Sequence, residues 1–411
     1  MLKKTLTLLL VLSFALGNAQ NKASCISEIN TIIQTYIEQS KIPGAVIQIK
    51  KGNEIILKKA YGYAQIKDFD GKQLAFPEKT SINHLYDIAS LTKVVGTTTS
   101  IMLLVDAGKI NVEDKVGKYI QGFNQPDKKD ITIRHLLTHT SGLYDWYPLY
   151  YRCKTKQETF KFIEELPLKF PIGEGRHYSD LGFTILGEII EKISGKPLNV
   201  FMEENIFRPL SMKNTTYKPN ETGKKLKIAA TSHGNPYEKR MVEDASLGFK
   251  IKEIDPNSWN GWRQYTLKGE VNDGNTWYAN EGVSGAAGIF STIDDIQKLV
   301  DVLRNKGKIG SKQFISEKTL GLFLTKDGFK NGLGWMMDNQ NAFMKNASEG
   351  SFGHTGFTGT SICVVPDDNI SIVLLINRQN IGLSPTKDYF NVNPIREQVF
   401  KTVMKYYSTT K

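Results

Sequence analysis

A serine hydroxyl becomes a useful nucleophile only when something accepts its proton. A lysine three residues further along a helix shares its face, and it accepts that proton once burial and nearby positive potential lower its pKa. The spacing Ser-x-x-Lys occurs at Ser90/Lys93, Ser384/Lys387 and Ser408/Lys411, so spacing alone does not choose among them. Ser408 belongs to the polar tail Ser408-Thr409-Thr410-Lys411, and Ser384 precedes Pro385 in a predicted loop. Ser90 follows Tyr86-Asp87-Ile88-Ala89 and begins the helical run Leu91-Thr92-Lys93-Val94-Val95. That places it at a helix N-terminus, where free N–H groups and the dipole favour developing negative charge. Taken alone, the pair is better explained as an N-cap and a surface lysine.

Two further stretches carry candidate chemistry. In Tyr178-Ser179-Asp180 the tyrosine hydroxyl is able to relay a proton if a cation such as Lys93 lies near it. The ordinary explanation is a capping turn, with Ser179 or Asp180 starting the helix and Tyr178 packing on it. In Gly353 to Gly359, His354-Thr355-Gly356 precedes a β-rich stretch, and its glycines would let a ligand approach the backbone of an edge strand. Its ordinary explanation is a glycine-rich bend with a solvated histidine. His135 and His139 are four apart, a metal-chelating spacing on a helix, but no carboxylate or further histidine stands at a matching spacing. Thr138-His139-Thr140-Ser141-Gly142 reads as a helix end and turn, and no metal is expected.

Ser-x-x-Lys, Tyr-Ser-Asx and His-Thr-Gly in this order are far less common than each motif singly. In this combination the chain resembles the serine β-lactamase and penicillin-binding protein superfamily, in its class C β-lactamase-like branch of esterases and D-amino-acid peptidases. Supporting stretches are Ile133-Arg134-His135-Leu136-Leu137-Thr138-His139-Thr140-Ser141-Gly142-Leu143, Gly285-Ala286-Ala287-Gly288-Ile289-Phe290-Ser291-Thr292 and Gly353-His354-Thr355-Gly356-Phe357, and the likeness spans essentially the whole chain after its first residues. The resemblance implies that Ser90 is the nucleophile and that Lys93 and Tyr178 are the proton-transfer pair. It further implies that Asp180, His354, Thr355, Gly356 and Phe357 contact substrate, with the backbone N–H groups of Ser90 and Phe357 as the oxyanion hole. Two residues depart from the pattern: Asp180 stands where many relatives have Asn, and His354 where β-lactamases usually have Lys. Both changes disfavour β-lactam hydrolysis, the first by adding negative charge and the second by removing a cation suited to a substrate carboxylate. The expectation is a serine hydrolase cleaving an ester or amide through acyl-Ser90, as a D-amino-acid peptidase, carboxypeptidase or esterase. The alternatives are a true β-lactamase and a non-catalytic cell-wall-binding module. The mechanism needs no cofactor, and the partner is a small-molecule or peptide substrate.

The elements that must position these residues can be read from periodicity. Ile29, Ile32, Ile33, Tyr36 and Ile37 predict an amphipathic helix that ends near Pro43. Two strands, 45–50 and 54–59, flank the turn Gly52-Asn53, and a second hairpin joins 360–365 to 370–377 across Pro366-Asp367-Asp368-Asn369. A closing helix follows Pro394. Between them, 94–107, 133–137, 183–193 and 293–303 have helical periodicity. The fold class is therefore α+β with an α/β sandwich lobe. An antiparallel sheet is built from both termini and flanked by the terminal helices, with a large, mainly helical lobe inserted. The sheet lobe is predicted at about 25–90 and 300–408 and the helical lobe at about 91–299, within one hydrolase domain at 20–408.

Composition is that of a globular protein: 411 residues, 40% hydrophobic and 10% aromatic. Lys3 and Lys4, the apolar run from Leu6 to Leu16 and Gly17-Asn18-Ala19 predict a signal peptide over 1–19, cleaved after Ala19. The run is shorter than the about 20 residues of a membrane span, so no stable span is expected after cleavage. A lipid-modified Cys25 would sit in a poor context, behind Lys22-Ala23-Ser24. The expected location is periplasmic or secreted. Cys25, Cys153 and Cys363 permit one disulfide at most, and Cys363 lies in an apolar run that predicts a buried thiol. The formal charge is +11, two less once Lys3 and Lys4 leave. The lysines are scattered, and clusters such as Lys224-Lys225-Leu226-Lys227 predict a solvated loop, so no nucleic-acid partner is expected. Tyr144, Trp146, Tyr147, Tyr150, Tyr151, Trp259 and Trp262 are predicted mainly as loop packing, with a cleft-lining role open to them.

Overall fold

The computed structural model describes residues 2–408, with side chains from residue 20 onward. The predicted signal peptide and the Lys411 end of the third Ser-x-x-Lys pair therefore lie outside the residues whose side chains are described. Helix α1 (Leu2–Glu38) leads into β1 (Gly44–Lys51), β2 (Glu54–Lys67) and β3 (Gln73–Lys79). A short β4 (Tyr86–Asp87) comes just before Ser90, followed by a π-helical turn at Lys93–Thr98 and α2 (Thr99–Asp106). The middle of the chain carries α3 (Ile133–Leu137), α4 (Lys156–Glu165), α5 (Asp180–Ser194), α6 (Leu198–Met202), β5 (Thr216–Tyr217) and α7 (Pro236–Glu243). The chain returns through β6 (Ile289–Ser291), α8 (Ile293–Arg304), the ribbon β7 (Lys308–Ile309) and β8 (Lys312–Gln313), and α9 (Glu317–Phe323). It closes with β9 (Phe352–Thr355), β10 (Ser361–Val365), β11 (Ile370–Ile376) and α10 (Asn393–Tyr407).

Both termini build one antiparallel sheet in the order β3-β2-β1-β11-β10-β9, as the paired hairpins predict. β1 and β11 meet with Val46 opposite Leu375 and Gln48 opposite Val373. Side chains alternate between faces along each strand. Ala45, Ile47 and Ile49 with Ile372, Leu374 and Ile376 share a core with Ile29 and Ile33 of α1 and Ile395, Val399 and Val403 of α10. Val46, Val373 and Leu375 point the other way, into the core that contains Ile296, Leu299, Val300 and Leu303 of α8. With both faces covered, β11 is buried along its whole length, which is why 370–376 is apolar at every position but Ser371. All three cysteines are free and buried, Cys363 within β10.

Several elements had no clear sequence signal. β3 is an exposed edge strand containing Pro77, and β4, β6 and β5 form a sheet of strands too short to show a period. The expected 94–107 helix is displaced at its start into a π turn. Gly96 allows this, since a Cβ there would lie 2.6 Å from Met202 Sδ and 2.7 Å from Ile289 Cδ1. Thr99 Oγ1 donates to Val94 O at 2.8 Å within the same turn.

Where β2 leaves its partner, Gly62 has φ +62 and its Cα hydrogen faces the Pro43 carbonyl, 2.4 Å from an added Cβ. Gly71 has φ +78 but open space around it. Gly71→Ala is expected to cost only the left-handed penalty, about 1–2 kcal/mol, and Gly62→Ala distinctly more because the sheet must also move. Urea unfolding midpoints of the two variants test this; equal midpoints would contradict the packing account.

Candidate active site

Ser90 is held by a strained turn. Ala89, just before it, has φ +46, outside the comfortable range of a residue with a Cβ. Its N–H donates to Asp87 Oδ1 at 2.8 Å, and Asp87 Oδ2 accepts the Asn272 N–H at 2.7 Å. Burial pushes the Asp87 carboxyl up to about 6, against these two hydrogen bonds. The turn between β9 and β10 braces the same segment. Thr358 Oγ1 donates to Asp87 O at 2.8 Å and Thr360 Oγ1 to Ile88 O at 3.1 Å. Gly356 is required at this junction, because a Cβ there would be 2.5 Å from the Ile88 carbonyl oxygen.

Lys93 is wholly buried. Its Nζ lies 2.6 Å from Asp180 Oδ1, donates to Ala286 O at 2.9 Å and reaches Ser90 Oγ at 3.2 Å. Burial pulls its pKa down, but the Asp180 and Tyr178 charges outweigh this, and the group is held above the ordinary lysine value. The predicted pair is therefore together, with a difference: the lysine is an ammonium at neutral pH, not a free amine. Asp180, read from sequence as a departure that adds charge near substrate, is its counter-ion.

Tyr178 lies beside both. Its ring centroid is 5.1 Å from Lys93 Nζ, and its hydroxyl interacts with Ser90 and Lys93. Burial raises the phenol above its usual value, with the Lys93 charge pulling the other way. The 139–145 segment fixes its position. Ser179 N–H donates to His139 Nδ1 at 3.0 Å, His177 N–H to His139 O at 2.8 Å, and Asp180 N–H to Asp145 O at 3.0 Å. The His139 ring lies 4.3 Å from the Tyr178 ring, centroid to centroid. Ser179 caps α5 by accepting the Gly182 N–H at 3.1 Å and donates to Tyr144 O at 2.7 Å, so the capping turn that is the ordinary explanation of this stretch is realised as well. His139 was legible as a motif histidine but not as the clamp on Tyr178; its φ of +61 marks the turn that makes the clamp possible. His135 closes a capping box at the start of α3 instead.

His354 and Thr355 end the edge strand β9, opposite Ile362 and Ser361 of β10. His354 is buried, not solvated: its Nδ1 lies 2.9 Å from Thr355 O, and its Nε2 has no partner. Burial pushes it down to about 3, with the Lys93 charge adding to the effect, so it is a neutral imidazole. Just beyond, Phe357 is partly exposed, and its carbonyl accepts from Arg378 Nε at 2.9 Å. Among the described residues, the N–H groups of Ser90 and Phe357 have no acceptor. Ser90, Tyr178, Asp180, Thr355 and Phe357 all line one cavity of about 640 Å³, together with Trp146. Of the other aromatics considered, Tyr150, Tyr151, Trp259 and Trp262 pack on one another and on Tyr278. The other Ser-x-x-Lys serines stand elsewhere: Ser384 is in an exposed loop bonded to Thr386, and Ser408 is bonded to Asp368.

The sequence profile described as Beta-lactamase matches residues 29–393. The chain belongs to the Beta-lactamase family. It is 35% identical over 372 residues to the N-acetylmuramyl-L-alanine amidase of Bacillus subtilis, covering 85% of this chain and 80% of that one. It is also 35% identical over 386 residues to a putative D-alanyl-D-alanine carboxypeptidase of Salmonella typhimurium, covering 88% and 84%. In three dimensions it matches EstCE1, a hydrolase with promiscuous acyltransferase activity, with a TM-score of 0.67 at 21% identity, over 92% of this chain and 99% of that one. At that identity the structural match shows the shared fold. The family and its named relatives make this protein a serine hydrolase.

The neutral His354 has a thermodynamic consequence. Its folded pKa is depressed below the ordinary histidine value of about 6.5, so between about 6.5 and 3 the unfolded chain binds the extra proton. Native stability contributed by this residue is complete above about 6.5 and is lost as pH falls. Urea midpoints between pH 4 and 7 are expected to fall less steeply in His354→Gln than in the wild type. Parallel slopes would show that His354 is not held neutral.

Proposed function

We propose that Ser90 is the nucleophile of an acyl-enzyme mechanism in which Lys93, Asp180 and Tyr178 move the proton, with an amide of a D-amino-acid or cell-wall type peptide as substrate. The observation that carries it is the contact chain Ser90 Oγ, Lys93 Nζ, Asp180 Oδ1, at 3.2 and 2.6 Å. As Ser90 Oγ bonds to the carbonyl carbon, its proton passes to Lys93, and Lys93 releases one of its own to Asp180. The negative charge on the carbonyl oxygen is met by the N–H groups of Ser90 and Phe357. Collapse breaks the bond to the leaving nitrogen or oxygen, which takes the proton back through Lys93 and the Tyr178 hydroxyl. Acyl-Ser90 is left, with the three groups in their starting states. Water repeats the sequence on acyl-Ser90, releasing the acid and restoring the serine hydroxyl.

Amides are favoured over esters because both curated relatives are named for amide cleavage, one for N-acetylmuramyl-L-alanine and the other for D-alanyl-D-alanine. β-Lactams fit less well, since His354 brings no positive charge to meet their carboxylate. A wall-binding module without turnover has no need for a serine, a buried lysine and a tyrosine in mutual contact. The proposal includes export of a hydrolase domain at 20–408 to the periplasm or beyond, on the strength of Lys3, Lys4, the apolar run and Gly17-Asn18-Ala19.

Intact-mass labelling with a fluorophosphonate tests the nucleophile. The wild type is expected to gain one adduct and Ser90→Ala none, while Tyr178→Phe turns over substrate on the order of 100- to 10,000-fold more slowly. An undiminished adduct in Ser90→Ala would overturn the assignment. Turnover of a D-Ala-D-Ala peptide, a nitrophenyl ester and nitrocefin then ranks the substrate classes, with nitrocefin expected last.

A further inference from the structure

The cleft that Ser90 opens into is acidic in a basic protein. The chain carries a formal +11, yet the cavity is lined by Asp145, Asp180, Glu238 and Asp273 and by no lysine or arginine. Two of these carboxylates are neutralised in place, Asp180 by Lys93 and Asp145 by Lys169 at 3.0 Å. Glu238 on α7 and Asp273 in the loop before residue 275 are not. Arg263, whose charge reaches Glu238, is paired with Glu270 at 3.6 Å and donates to Val271 O at 2.8 Å. Asp273 lies close enough to the reaction centre to feel both Asp180 and Lys93.

Each carboxylate accepts one backbone N–H, from Gly274 to Glu238 Oε2 at 2.8 Å and from Thr276 to Asp273 Oδ1 at 2.7 Å. Glu238 Oε1 is buried, and the Tyr150 hydroxyl interacts with this carboxyl and pulls its pKa down, though short of strict hydrogen-bonding geometry. An orphaned acceptor lines the same cavity: Gln379 is 1% exposed, and its Oε1 has no partner among the described residues. A buried, unpaired oxygen costs about 1–3 kcal/mol, so this one marks a place for a donor from outside the chain. Burial, and after it the neighbouring Asp273, push Glu238 up to about 8, with the Arg263 charge pulling the other way. Trp146, Tyr237, Phe249 and Tyr389 also line the cavity, and aromatic faces attract cations.

We propose that this wall recognises a protonated amine on the substrate, whose charge holds Glu238 and Asp273 ionised as its acceptors, with Gln379 Oε1 as a neutral one. An ammonium offers three N–H donors and no acceptor, which matches a wall whose unmet groups are all acceptors. The enzyme accordingly prefers acyl donors with a free amine to those with a carboxylate. The proposal rests on the hydrolase reading for the identity of the cleft, and the test separates the two.

The test compares p-nitroanilides of D-alanine and of 6-aminohexanoate, each with a free amine or with an N-acetyl, N-succinyl or N-gluconyl group. At one chain length or the other, kcat/KM is expected to be at least about tenfold higher for the free amine than for the N-acetyl form, and lowest for the N-succinyl form. In Glu238→Gln/Asp273→Asn the ratio of free amine to N-acetyl is expected to collapse towards one. Because the ratio is taken within one preparation, a partly unfolded variant leaves it unchanged. Equal rates for the amine and N-acetyl forms at both lengths, faster succinyl or gluconyl substrates, or a ratio that survives the double variant would overturn the proposal. Calorimetry of Ser90→Ala with D-alaninamide and 6-aminohexanamide, each against its N-acetyl form, decides it without turnover. Selective binding of the amines supports the wall even if Ser90 proves not to acylate, and equal or absent binding of both pairs rejects it.

Discussion

An ammonium taken completely out of water must be met by an anion or by oriented dipoles, and Lys93 is such a group. It donates to a backbone carbonyl and to the Ser90 hydroxyl, and a carboxylate oxygen lies 2.6 Å away as its counter-charge. Each partner comes from a different part of the chain: Asp180 from the first turn of α5, Ala286 from the loop before β6, and Ser90 from the turn after β4. The requirement to satisfy one buried charge therefore draws three distant segments to a point. It also explains why an acid serves here: with an amide in place of Asp180, burial would work against the charge of Lys93 without an anion to oppose it.

The sheet serves this centre through its edge. β9 ends at Thr355, and the turn that follows packs Gly356 on the Ile88 carbonyl, so the free N–H of Phe357 and that of Ser90 belong to neighbouring backbone segments. Arg396 of α10 reaches under this turn and donates to Thr360 O at 2.8 Å. The closing helix is thus tied to the active-site strand as well as to α1. The antiparallel register of β1 with β11 sets where β10 and β9 fall, and so sets the distance between the edge strand and Ser90.

Much of this was legible in the chain. The two hairpins and the terminal helices followed from turn residues and periodicity, and the contact of Ser90 with Lys93 from their spacing at a helix start. What was not legible depended on contacts between residues far apart in sequence. The acid at 180 was readable as added charge, but not as the counter-ion of Lys93, because no local pattern links residues 93 and 180. A glycine-rich bend suggested a solvated histidine at 354, whereas pairing of β9 with β10 buries it. The π turn depends on what Gly96 touches in α6 and β6. Glu238 and Asp273 carry no motif and come together only when α7 faces the loop before residue 275.

The central claim is that Asp180 keeps the proton on Lys93. The direct measurement is the pH dependence of the rate at which a fluorophosphonate acylates Ser90, in the wild type and in Asp180→Asn. Asp180 raises the Lys93 pKa and burial lowers it, so removing the anion makes the free amine available at lower pH. The account predicts that the wild type acylates at neutral pH by passing the proton through Lys93 to Asp180, whereas Asp180→Asn lacks that acceptor and acylates only as the Lys93 amine becomes free, with a rate that rises with pH. A variant whose rate is as high and as flat with pH as that of the wild type would contradict it.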